Sequence, residues 1–205
     1  MDRVYYLVVF LCHCYVDYDM LTHLIIDPRL LIHFSLLTHM SFYFNFIYYT
    51  LRLLTVLGVV NRILDKKFWR NYFQFTFSIS FIVFLLFWGL FLTDPKLLDS
   101  DNEGISNPYC NFFLHGCNFI LNMVEHLYMK PGFLLNSISK RFYFGFCCSY
   151  TIYMLIIKQT MGVSVYSFLD DGPIVISVVI VIGSILLFTG DWIYSNVHRL
   201  KNKVM

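Results

Sequence analysis

Six apolar runs constrain this chain more than anything else in it, at residues 4–16, 30–60, 72–92, 112–129, 142–157 and 173–194. A helix needs about 20 predominantly apolar residues to cross a bilayer, with a range of about 17–25. Runs two, three, four and six meet that length and run five is marginal. Run one has only 13 residues before Asp17. Its length suits a signal-peptide core, but Asp17, Tyr18 and Asp19 follow it where a small-residue cleavage site would stand, so it is read as a short or tilted first span. Charged residues make up 14% of the chain, against about 25% in an ordinary soluble domain. With a mean hydropathy of +0.64, the class is a polytopic membrane protein.

The basic residues then order the loops. Arg3, Arg62, Lys66, Lys67, Arg70, Lys130, Lys140, Arg141, Arg199, Lys201 and Lys203 fall on one side of a six-span alternation. The other side holds Arg29, Lys96 and Lys158, with nine of the thirteen acids. Cytoplasmic loops carry the Lys and Arg excess, so both termini are expected in the cytoplasm. The expected fold class is all-α: a single domain, residues 1–205, forming a bundle of six transmembrane helices. Lys201 and Lys203 resemble a dilysine retrieval signal of endoplasmic reticulum membrane proteins, an address read by a receptor; ordinary flanking lysines fit as well. The expected location is the endomembrane system, the endoplasmic reticulum first, with the plasma membrane as the alternative.

Polar groups inside these runs carry the functional signal. In run four, His115, Asn118, Asn122, Glu125 and His126 fall within an arc of about 100° at helical spacing, with Cys117 opposite. Such groups are costly in hydrocarbon and normally face a bundle interior or a watery cavity. In run two, Thr38, Ser41, Asn45 and Arg52 share a face about 60° wide. From the acidic side, Thr38 lies about 12 Å into its span and Asn118 about 9 Å, at 1.5 Å per residue. One cavity lined by Ser41, Asn45, Asn122 and Glu125 is the economical expectation. Each residue also has a plain structural reading: Thr38 back-bonded to its own helix, the asparagines as interhelical glue, Arg52 paired with Glu125 or Asp191 or extended to the cytoplasmic face.

Other signals are weak. The chain has no alanine beside 22 Phe and 15 Tyr, which reads as coding bias, so the aromatic cluster at 43–49 is taken as lipid-facing filler. Five of the six cysteines fall in apolar runs and Cys110 in a loop, unlike a disulfide framework. Cys12-His13-Cys14 has no second half and no zinc-ligand spacing. No metal and no cofactor is expected. There is no Gly-x-Ser-x-Gly elbow, no phosphate-binding glycine loop and no zinc helix. The basic residues flank spans and make no nucleic-acid patch, and no pair of broken helices points to a transporter.

Several stretches in order resemble the androgen-induced and androgen-dependent TFPI-regulating protein family: Phe87-Trp88 with Asp94, His115-Gly116, residues 162–169, and Gly190-Asp191. The resemblance covers roughly residues 30–197. It implies a six-span membrane hydrolase of fatty acid esters of hydroxy fatty acids, with an intramembrane threonine as nucleophile and a histidine as base. Leu37-Thr38 matches the nucleophile segment; Leu21-Thr22-His23, placed in the first lumenal loop, fits less well. The family's His-x-x-His-Thr reads His115-Gly116-Cys117-Asn118-Phe119 here, so Asn118 stands where the base would be. A hydroxyl needs an adjacent base to become a nucleophile, and an amide cannot serve. The resemblance thus leaves two readings: a lipid ester hydrolase with Thr38 as nucleophile and His115, or else His39, as displaced base, or a non-catalytic lipid-binding or regulatory protein on the same scaffold. The expected partners are membrane lipids and a small lipid ester, with no nucleic acid.

Overall fold

The computed structural model describes residues 2–26, 37–59, 66–93, 108–129 and 137–162, with 181, 182, 184, 185 and 188. Among the described residues every regular element is helical and there is no strand, as the all-α expectation required. Five helices follow in order. They are α1 (Asp2–Ile26), α2 (Leu37–Val56), α3 (Lys66–Thr93), α4 and α5 (Ser137–Met161). Helix α4 runs as Pro108–Phe112, then a π-helical stretch Phe113–Cys117, then Asn118–Met129. The sixth expected span, 173–194, has only five described residues, and the 199–203 tail and Asp191 lie outside them.

Charge and apolar length misjudged the helix ends in an instructive way. Helix α1 has 25 residues and continues through Asp17 and Asp19, so the first helix is not short. Tyr43 of α2 donates a 3.0 Å hydrogen bond to Asp17 Oδ1, which gives that carboxylate a partner inside the bundle. Thr22 is therefore helical, its hydroxyl donating to the Asp19 carbonyl at 2.8 Å, and does not lie in a loop. Helix α3 begins at Lys66 and α5 at Ser137, ahead of Lys140 and Arg141. Long basic side chains can start a spanning helix because their stems cover apolar surface while their charge reaches water. Cys110 likewise sits in the first turn of α4, fully buried, not in a loop.

Two glycines end helices for a conformational reason. Gly58 has φ +77°, in the left-handed region open to glycine without steric cost. Its N–H donates to Thr55 O at 3.1 Å, and the Val59 N–H donates to Leu54 O at 2.9 Å. This is the double bond of a Schellman motif, and it stops α2 short of Val60. Gly162, φ +66°, closes α5 with the single bond of the simpler left-handed cap, from its N–H to Lys158 O at 3.0 Å.

Helix α3 is the central member, packed against α2, α4 and α5, while α1 lies on α2. Arg3–Thr22 in α1 and Phe68–Gly89 in α3 are long and apolar enough to cross a membrane. Val4, Leu7, Val8 and Leu11 of α1 face outward, whereas His13, Thr38, Asn45, Thr76, Ser78 and Asn122 are buried. Apolar groups outside and polar groups inside is the arrangement that lipid favours. The aromatic cluster of α2 corrects the filler reading. Within it Tyr48 and Tyr49 are buried and join Tyr6, Val9, Leu53, Phe73 and Phe77 in the core, while Ile47 is exposed.

Candidate functional site

The polar faces of α2 and α4 turn toward each other across a serine of α3. Asn122 Nδ2 donates to Asn45 Oδ1 at 2.8 Å and to Ser80 Oγ at 3.1 Å. Asn45 Nδ2 donates to Ser80 Oγ at 2.7 Å and to the Ser41 carbonyl at 2.7 Å. The Ser80 hydroxyl donates to Thr76 O at 2.8 Å, and the Ser41 hydroxyl oxygen lies 3.2 Å from Ser80 Oγ. Tyr49 closes the set by donating to Asn122 Oδ1 at 3.0 Å. Both amides are therefore used at both ends. Ser41, Asn45 and Asn122, expected to line a cavity, are instead bonded directly to each other and to Ser80. Hydrogen bonds of this kind join membrane helices.

One turn nearer the end of α4, Glu125 is buried among donors. Its Oε1 accepts from Tyr48 at 2.6 Å and Tyr6 at 3.0 Å, and lies 3.5 Å from Arg52 Nε. Arg52 also donates to the Tyr6 oxygen from Nε at 3.1 Å and from Nη2 at 2.7 Å. Arg52 thus takes Glu125 as its partner, the first of the alternatives open in the sequence. Three helices supply this cluster, and one carboxylate oxygen joins them. Oε2 of the same carboxylate is buried with no hydrogen-bond partner among the described residues, so the charge is paired on one oxygen alone.

The other end of the polar seam also holds buried polar atoms without partners among the described residues. Thr38, His39, His115 and Asn118 are all buried there. His115 Nδ1 and Asn118 Nδ2 have no hydrogen-bond partner among the described residues. The His115 ring lies flat on Phe87 of α3, centroids 3.9 Å apart. Asn118 turns instead to α1, where its Oδ1 lies 3.1 Å from His13 Nε2. Hence His115 and Asn118 do not address one neighbour. The cause is the π stretch: Asn118 N–H bonds to Phe113 O, five residues back. Such bonding under-winds the helix and is frequent at functional sites, so a uniform 100° step overstates how closely His115 and Asn118 align. Cys12 is exposed, Cys14 half-buried and His13 fully buried, so this triplet points in separate directions. No group of three or more His, Cys, Asp or Glu that could hold a metal occurs among the described residues.

The sequence profile of the FAR-17a/AIG1-like protein family matches residues 1–198. The chain belongs to this family. No curated protein and no solved structure matches it. Membership of the FAR-17a/AIG1-like family and the two helices of spanning length agree on a membrane protein. The match begins at residue 1 and so takes in α1, which the motif-based resemblance left out.

Sequence reasoning missed Tyr6, His13, Tyr48, Tyr49 and Ser80. Two signals were present. Thr76 and Ser80 repeat at four-residue spacing along one apolar run, the pattern of a helix face. His13 was weighed only with its cysteine neighbours. The tyrosines gave no signal, because a phenol suits a lipid interface and a buried hydrogen bond equally well.

Proposed function

We propose that this FAR-17a/AIG1-like protein is a six-span enzyme of the endomembrane system, with both termini cytoplasmic, that hydrolyses esters of hydroxy fatty acids using Thr38 as nucleophile. One observation carries the reading. Thr38 is buried at the end of the seam where two buried polar atoms, His115 Nδ1 and Asn118 Nδ2, lack partners among the described residues. Buried polar groups are nearly always satisfied, and a catalytic role is one of the reasons an exception is kept; here two such atoms, a candidate base and a candidate donor, lie toward the same end as a buried hydroxyl. A lipid ester entering from the membrane brings a carbonyl oxygen to accept from Asn118 and an acyl chain that needs no water. The products are a fatty acid and a hydroxy fatty acid.

A second reading has its own observation. Asn118 occupies the position of the family's base, and this favours a lipid-binding protein that has lost catalysis. The experiment uses the full chain in phospholipid nanodiscs, given a branched fatty acid ester, with a fluorophosphonate probe read by mass spectrometry. Hydrolysis and labelling at Thr38, both lost in Thr38→Ala, are expected of the enzyme. An unlabelled protein that still binds the ester and gains labelling in Asn118→His belongs to the second reading.

A further inference from the structure

We propose that His13 of α1 supplies the imidazole that position 118 lacks; this rests on the reading of Thr38 as nucleophile. Three features set His13 apart from His115. First, its Nδ1 lies 2.8 Å from the Val9 carbonyl. A carbonyl only accepts, so Nδ1 carries the proton and, in a neutral ring, Nε2 holds the lone pair. A base oriented by a third group in this way is the arrangement that activated hydroxyls use. His115 Nδ1 has no such anchor among the described residues. Second, His13 Nε2 meets Asn118 itself, at 3.1 Å. Third, the ring is fixed: fully buried, stacked on Phe42 and Phe46 at 23° and 20°, with Phe113 edge-on at 88°.

The tautomer also decides the amide. With Nδ1 protonated, Nε2 accepts, so Asn118 must offer it N–H2. Amide oxygen and nitrogen are assigned from such networks, and turning the Asn118 amide end for end places Nδ2 on His13. One of the two Nδ2 hydrogens then goes to His13 and the second stays available to the ester carbonyl, while the amide oxygen becomes the atom without a partner. Either way, one imidazole and one amide share a contact between α1 and α4, and the imidazole enters from the helix that the sequence motifs did not cover.

Phe42, on which His13 stacks, is one turn from Thr38, about 6 Å along the axis at 1.5 Å per residue. One water is required to carry the proton between Thr38 Oγ1 and His13 Nε2, since a general base acts directly or through a single water. Thr38 Oγ1 bonds to the ester carbonyl carbon while its proton passes through that water to Nε2, and Asn118 N–H2 turns to the developing oxyanion. The carbonyl carbon's bond to the alkoxy oxygen breaks, and that oxygen leaves with the proton as the hydroxy fatty acid. A second water then adds to the acyl carbon, its proton going to Nε2. The bond to Thr38 Oγ1 breaks, Oγ1 recovers the proton and the fatty acid departs.

The test measures the rate of fluorophosphonate labelling at Thr38 in nanodiscs. Positioned general bases contribute about 10²–10⁴-fold, so His13→Gln is expected to slow labelling at least about 100-fold. The exchange variant His13→Asn/Asn118→His, which keeps one imidazole and one amide at the contact, is expected to recover to within about tenfold of the parent. Should His13→Gln fail to assemble, as read by size-exclusion fluorescence, the exchange variant decides alone, and its silence overturns the proposal. Labelling of Thr38 at the parent rate in His13→Gln also overturns it while leaving Thr38 as nucleophile, as does loss in His115→Gln with His13→Gln unaffected. A parent chain that never labels, with Asn118→His active, removes both His13 and the hydrolase reading.

Discussion

Glu125 and Arg52 show what a single residue does when water is absent. Glu125 Oε1 gathers Tyr6, Tyr48 and Arg52, and Arg52 also packs over the Tyr6 and Trp69 rings at 5.1 and 5.6 Å. Removing one partner of a buried pair leaves the other charge stranded, which costs about 3–5 kcal/mol, whereas replacing both by apolar groups is often neutral. Arg52→Met should therefore lower the unfolding midpoint sharply in detergent, and Arg52→Met/Glu125→Leu should recover most of the loss. Equal loss in the single and double variants would mean that the pair matters through packing alone. Tyr6 and Tyr48 belong to the same balance, because their hydroxyls lose their acceptor when Glu125 goes.

At the scale of elements, helix ends and helix faces follow different rules. Ends are set locally. Gly58 occupies φ +77°, where an L side chain costs about 1–2 kcal/mol, so Gly58→Ala should destabilise by about that much. Gly145 lies inside α5 with nothing within 4 Å of a built Cβ. There alanine should stabilise by about 0.5–1 kcal/mol, since a helix-interior glycine loses more conformational freedom on folding. Thermal unfolding of the two variants in detergent should move in opposite directions. Faces are set by neighbours. The π stretch of α4 turns His115 toward Phe87 and leaves Asn118 against His13, a separation that no local propensity encodes.

For the whole molecule, the charge of the loops predicts how they are arranged about the membrane. The 94–107 segment holds Asp94, Asp99, Asp101 and Glu103, while 130–136 opens with Lys130 and lies just ahead of Lys140 and Arg141 in α5. With the Lys and Arg excess cytoplasmic, an Asn-x-Thr acceptor placed in 94–107 should be glycosylated in microsomes and one placed in 130–136 should not. Glycosylation of the second and not the first would invert the topology, and glycosylation of both would break the span count.

The sequence by itself determined the class and the inventory: an all-helical membrane protein, helices at the apolar runs, and polar residues spaced to share a face on α2 and α4. Hydropathy and helical period are properties of the chain one segment at a time, so they survive without coordinates. Partnership does not. That Ser80 joins Asn45 to Asn122, that Glu125 chooses Arg52, and that Tyr48 and Tyr49 serve as buried donors depend on which helix lies beside which. The same holds for His13, whose meeting with Asn118 joins positions 105 residues apart. Only the tertiary structure decided these, because a hydrogen bond is directional and short, and a small rotation of one helix redirects every polar side chain on it.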